Sequence, residues 1–128
     1  MQTWLLRSLF VAAATLLLSG PASSADKPKS IIHVVTLYFK PGTTEADKKK
    51  VLDGVDEMGK KIPGIKNVWL KSIKVQGDAN GVPLTTAFVM EFVDEAAFKA
   101  YENHPAHRAW EKIYFPVRGE SRTHDITN

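Results

Sequence analysis

The sequence predicts one α+β domain with the element order β-α-β-β-α-α-β. Three observations predict it. Residues 31–39 (IIHVVTLYF) form an unbroken run of β-branched and aromatic residues closed by Pro41-Gly42, as a strand ends. From Val51 to Ile62 the apolar residues switch to the three-and-four spacing of one buried helical stripe. Further on, turn-rich residues 76–83 (QGDANGVP) separate two more strand patterns, ahead of two short helical patterns joined at Pro105.

Taken in order, residues 26–30 are a polar lead-in to the first strand. Thr44, with Asp47 three residues on, resembles a capping box and starts the first helix. Its stripe is Val51, Leu52, Val55, Met58 and Ile62, and Pro63-Gly64 stops it. A second strand is expected from Ile65 to Val75, with imperfect alternation around Trp69-Leu70 that allows a bulge. Residues 76–83 read as a hairpin loop and Leu84–Val93 as the third strand. Asp94 caps a short helix, 95–103, with Ala97, Phe98 and Tyr101 facing inward. Pro105 suits the first turn of the next helix, where its missing N–H would have no partner anyway. That helix runs to about Tyr114, Pro116 ends it, and Val117–Ile126 is a final strand. One helix between the first two strands and a helical pair between the last two is the split β-α-β arrangement of a ferredoxin-like sheet.

Helices in such a sheet cover one face only. Ile31, Val35, Leu37 and Phe39 share one face of the first strand, while Ile32, Val34 and Tyr38 share the other. In the third strand Leu84, Phe88, Met90 and Phe92 oppose Ala87, Val89 and Val93. Both faces are apolar, and a wet second face would be a larger patch than soluble monomers usually expose. A second copy closing as a two-fold dimer is the simplest cover, so a homodimer is expected.

The N-terminal segment is read apart from the domain. Arg7, the apolar run 9–18 (LFVAAATLLL), Gly20-Pro21 and the small residues 22–25 match the three regions of a secretory signal peptide, with cleavage after Ala25. The run is about half the ~20 apolar residues that a membrane span needs. Residues 1–25 are therefore expected to be removed, leaving 26–128 as one exported domain, secreted or periplasmic, with no membrane attachment. Without Arg7, 16 basic residues face 14 acidic ones, too even a balance to point to nucleic acid. The chain has no cysteine, which excludes disulfides, thiolate zinc sites and a cysteine nucleophile.

With these elements placed, the chain resembles the stress-responsive dimeric α/β-barrel family, Dabb. The resemblance rests on His33-Val34-Val35 and residues 39–43 (FKPGT) at the two ends of the first strand, residues 62–65 (IPGI) and Phe92. It rests most on Tyr101 with His104-Pro105-Ala106-His107. It implies a ferredoxin-like protomer whose sheet pairs with another to form a barrel. It also implies a group mostly without assigned activity, with a minority of enzymes. Those include plant polyketide cyclases that use His and Tyr in a cavity between sheet and helices. Other dimeric α/β barrels are cofactor-free monooxygenases or haem-degrading enzymes.

Three residues are candidates for catalysis: His33, Tyr101 and His107. His33 lies on the Val35 face of the first strand, where an imidazole can act as a base near neutral pH. The simpler expectation is a core histidine bonded to a backbone carbonyl or a neighbour. His104, just before Pro105, is expected to accept from unpaired N–H groups at the helix start. His107 is a candidate acid or base by resemblance to the cyclases, with Tyr101 a possible hydroxyl donor. Two departures weaken a cyclase reaction by the same residues: Thr85-Thr86 stands where those enzymes carry Thr-His, and Val55 where they carry tyrosine. No histidine spacing matches a zinc motif, and Trp69, Trp110, Tyr114 and Phe115 read as core or interface aromatics, so no cofactor or metal is expected. The sequence puts a non-catalytic protein first, binding a small apolar or aromatic ligand or acting in stress response. The alternative is a cofactor-independent cyclase, lyase or monooxygenase-like enzyme on a phenolic or polyketide-like substrate.

Overall fold

The computed structural model describes residues 25–128. The signal-peptide segment therefore lies outside the described residues, Ala25 excepted. The elements are β1 (Ile31–Phe39), α1 (Glu45–Lys61), β2 (Ile65–Trp69), β3 (Asp78–Ala79), β4 (Val82–Pro83), β5 (Thr86–Phe92), α2 (Glu95–Glu102), α3 (Pro105–Tyr114) and β6 (Arg118–Ile126). The main sheet has the order β2-β5-β1-β6 with every neighbouring pair antiparallel, the ferredoxin-like arrangement. Among the described residues no helix is long and apolar enough to cross a membrane.

Local chemistry sets the element ends. Thr44 accepts from the Asp47 amide at 3.1 Å and its hydroxyl reaches the Asp47 carboxylate at 2.8 Å, so the short Asp holds the cap side chain rather than the cap backbone. The Asp94 side chain accepts from the Ala97 amide at 2.8 Å and starts α2. Two boundaries differ from expectation. β2 stops at Trp69 instead of reaching Val75, because Ser72 takes over the pairing with β5. Its Oγ accepts from the Ala87 amide at 2.8 Å and donates to the Ala87 carbonyl at 3.0 Å. The expected loop 76–83 folds into its own two-stranded ribbon, β3–β4, turned by Asn80-Gly81 with φ of 56° and 78°. Two successive positive φ values are those of a type I′ hairpin turn.

β1 alternates as the pattern requires: Ile31, His33, Val35 and Leu37 are buried under the helices, and Ile32, Val34, Thr36 and Tyr38 are half-buried on the other face. Leu37, Val51, Val55, Phe88, Met90 and Phe92 form the centre of the core between sheet and helices. The uncovered face carries Trp69 and Ile126, each at least half exposed.

The helical layer is set by one close contact. The Trp110 indole N–H on α3 donates to the Val51 carbonyl on α1 at 2.9 Å, and the ring lies over Gly54. A Cβ at Gly54 would sit 2.5 Å from Trp110 Cδ1. In an open helix, Gly→Ala stabilises by about 1 kcal/mol. Here overpacking costs about 1–3 kcal/mol, and Trp110 cannot swing aside without losing its hydrogen bond. Gly54→Ala is therefore expected to lower stability in urea unfolding, by up to about 2 kcal/mol. An increase in stability would show that α1 and α3 do not meet this closely.

Candidate functional site

The α2–α3 joint and the odd-numbered face of β1 build one site. α2 ends at Asn103, and His104 is the cap of α3, its Nδ1 accepting from the Ala106 amide at 3.1 Å. Since Nδ1 accepts, the neutral ring carries its proton on Nε2. His104 has the structural role expected of it, and it does not line the cavity.

His107 turns the other way. Its Nδ1 lies 3.1 Å from the Glu102 carbonyl, one of the acceptors left over at the end of α2. A carbonyl can only accept, so Nδ1 carries the proton and Nε2 keeps its lone pair, 3.8 Å from a Glu111 carboxylate oxygen. The His107 ring packs on Tyr101 with centroids 4.1 Å apart. Burial is the largest influence on His107 and holds its pKa below the ordinary value of 6.5, favouring the neutral ring.

His33 is buried, and its partner is neither a backbone carbonyl nor a sequence neighbour. Its Nδ1 is 2.6 Å from Oδ1 of Asp125, 92 residues away on β6. The β1–β6 register sets the two residues opposite each other. With the carboxylate accepting from Nδ1–H, Nε2 is the free basic nitrogen of an oriented imidazole. The His33 ring lies 5.8 Å from that of Tyr101 and 5.5 Å from that of Phe98. Tyr101 is buried, and burial first, then the nearby carboxylates of Glu111 and Asp125, pushes its pKa well above 10, so it stays a phenol.

His33, Tyr101 and His107 line one cavity of about 250 Å³, together with Asp125, Glu111, Phe88, Trp110, Tyr114, Phe115, Arg118 and others. An apolar cavity of 150 Å³ takes benzene, so this volume admits one substituted ring. Thr86, at the position of the cyclase imidazole, lines a separate open groove with Tyr38 and Thr85 and does not line the cavity of His33 and His107. Val55 is fully buried core, as its place in the apolar stripe of α1 requires. Trp110, Tyr114 and Phe115, expected only as packing, are also cavity wall. Neither segment by itself marks Asp125 as the partner of His33. Its signal is the opposition of His33 and Asp125 once the first and last strands are paired from the two ends of the fold. Among the described residues no group of three or more His, Asp or Glu side chains is placed to hold a metal ion.

The fold and site define a ferredoxin-like α+β domain with an acid–base-lined cavity between sheet and helices. The stress responsive A/B barrel domain family (Dabb) matches residues 31–128, and the chain belongs to that family. No curated protein matches the chain. Solved structures share the fold. A dimeric ferredoxin-like protein of unknown function from Thermobifida fusca is 24% identical, with TM-score 0.63, covering 79% of this chain and 92% of its own. The hydroxynitrile lyase of Passiflora edulis is 16% identical, with TM-score 0.67, covering 77% and 93%. SnoaB, a cofactor-independent oxygenase from Streptomyces nogalater, is 12% identical, with TM-score 0.60, covering 78% and 93%.

A depressed histidine pKa has a sign in stability. The unfolded chain takes up a proton on His107 as pH falls through about 6.5, while the folded chain resists it until lower pH. The stability that the neutral, buried ring contributes is present above pH 6.5 and is lost as pH falls from there through the folded pKa. The difference in Tm between the wild type and His107→Gln is therefore expected to shift against the wild type between pH 7.5 and 5. A constant difference across that range would show that His107 is not held neutral by the fold.

Proposed function

We propose that the chain is an exported homodimer whose cavity binds a small aromatic or apolar molecule and moves a proton on it by cofactor-independent acid–base catalysis. The observation that carries the proposal is the His33–Asp125 pair at 2.6 Å, in a cavity that Tyr101 and His107 also line. A non-catalytic binding protein, the simpler expectation from sequence, makes the same use of the cavity but gives no role to a carboxylate that fixes the imidazole tautomer.

Each group has a distinct task. His33 Nε2 takes a proton from a C–H or O–H of the bound molecule, and Asp125 holds Nδ1–H and stabilises the imidazolium that forms. Tyr101, kept as a phenol by burial, donates a hydrogen bond to the oxygen where negative charge develops. His107, neutral with Nε2 unprotonated, is a second base on the cavity wall and accepts a proton from an O–H of the bound molecule when His33 takes the C–H. A hydroxynitrile lyase and a cofactor-independent oxygenase among proteins of this fold support a reading in this class.

Assembly and export rest on separate grounds. Ile32, Val34, Val89 and Trp69 lie on the sheet face opposite the helices, and a dimeric protein shares the fold. A second copy packed there would close the two sheets into a barrel. Export is supported by residues 1–25, which combine Arg7, an apolar run and small residues at the cleavage site.

Two experiments test these proposals. Solvent deuterium uptake at the methyl group of acetophenone and cleavage of mandelonitrile offer the site a carbon acid and a hydroxyl acid. Acceleration of at least one over buffer is expected, falling about 10²–10⁴-fold in His33→Gln and clearly in Asp125→Asn. Binding of both compounds without acceleration would instead establish the non-catalytic protein. Light scattering and mass spectrometry on the exported protein are expected to find a dimer of chains that begin at Asp26. A stable monomer would overturn the assembly, and a retained Met1 the export.

A further inference from the structure

We propose that Arg118, Tyr114 and Ser121 form an anion subsite at the far end of the cavity, so that the molecule taken is a small arylalkanoate, an aromatic ring bearing a carboxylate on a short arm. The proposal rests on the cavity reading above and names the chemical class that the cavity accepts.

Of the charged groups that line the cavity, the carboxylates are gathered with the histidines. Asp125 is paired with His33 at 2.6 Å, Glu111 with Arg108 at 2.9 Å, and Glu102 lies at the α2–α3 joint. Arg118 is the cation at the other end, and among the described residues it makes no ion pair. Its guanidinium carbon sits 4.8 Å from the Phe115 ring centroid and 5.5 Å from that of Tyr114, and one N–H reaches Ser121 Oγ at 3.4 Å. Contact with two rings holds the guanidinium in place, and apart from the N–H on Ser121 its N–H groups, which can grip a carboxylate in pairs, make no side-chain hydrogen bond among the described residues. The second observation is independent of charge. The Tyr114 hydroxyl is buried with no hydrogen-bond partner, although Ser121 and Arg118 stand beside it. A buried hydroxyl without a partner is rare in folded proteins. Arg118 and the hydroxyls of Tyr114 and Ser121 thus meet at one corner where the guanidinium pairs with no carboxylate.

The spacing selects the ligand. His107 and Tyr114 are seven residues apart on α3, about 10 Å along the helix. On β6, Asp125 and Ser121 are four apart on the same face, about 13 Å. A carboxylate at Arg118 and a reacting atom at His33 or His107 are therefore bridged by more than a bare benzoate. A ring among Val35, Phe88 and Trp110 with a two-carbon arm to the carboxylate fits both the span and the volume of about 250 Å³.

Isothermal titration with 3-phenylpropionate and with its neutral amide, 3-phenylpropionamide, tests the subsite. The wild type is expected to bind the carboxylate about tenfold or more tightly than the amide, with the preference shrinking in high salt. Arg118→Gln is expected to abolish the preference by weakening the carboxylate about tenfold while leaving the amide within about twofold. Intact amide binding also shows that the variant is folded, and Arg118→Lys is expected to fall between. Equal binding of the two compounds by the wild type, or a preference that survives Arg118→Gln, overturns the subsite and leaves the cavity reading standing. If neither compound binds at millimolar concentration, the subsite and the cavity reading fall together.

Discussion

The antiparallel register of β1 with β6 is the constraint on which the rest depends. It sets His33 opposite Asp125, Val35 opposite Thr123 and Leu37 opposite Ser121, all on the face beneath the helices. A slip of one residue would move every one of these side chains to the other face of the sheet. His33 would then leave the cavity, and Leu37, now fully buried, would meet solvent. The buried apolar residues of β1 and the catalytic candidates are therefore held in place by the same free energy. Because His33 shares its face with Ile31, Val35 and Leu37, the core itself enforces the geometry of the site.

The second organising feature is the joint between α2 and α3. Pro105 breaks the helical path, His104 supplies the cap that restarts it, and the Glu102 carbonyl left at the end of α2 is met by His107. One short motif thus uses two histidines as opposite hydrogen-bonding tautomers, an acceptor at Nδ1 of His104 and a donor at Nδ1 of His107. The same hydrogen bond that satisfies α2 fixes which nitrogen of His107 carries the lone pair. Backbone satisfaction and chemical readiness are here one requirement.

Local signals made most of this legible in the sequence. Thr44, Asp94, His104 and Pro105 marked helix starts through side chains that act within three residues, and α3 runs from Pro105 to Tyr114 as its pattern indicates. What the sequence hid was non-local. Ser72 ends β2 by bonding to Ala87, fifteen residues on, which no periodicity within 65–75 reports. Asp125 meets His33 only because the first and last strands are neighbours, and their pairing follows from topology rather than from either segment. Thr86 misled for the same reason. The family resemblance suggested the cavity, but at the end of β5 Thr86 lines a different groove. Trp110 and Tyr114 illustrate a further limit, since a helical stripe of aromatics has one sequence pattern whether it fills a core or walls a cavity.

In the proposed dimer the two faces of β1 would serve site and assembly separately, and the edge strand β6 would be a point of contact between them. On the helix side β6 presents Asp125, Thr123 and Ser121 to the cavity; on the other it presents Ile126, His124, Arg122 and Glu120 alongside Ile32, Val34, Thr36 and Tyr38. Most of β6 is exposed in the single chain, and Asp125 retains 42% side-chain exposure. A carboxylate that open to water orients an imidazole less firmly than a desolvated one would. A second copy seated on the outer face would restrict the motion of β6 without touching the cavity, so the strength of the His33–Asp125 contact would depend on the dimer although both partners of that contact lie in one chain.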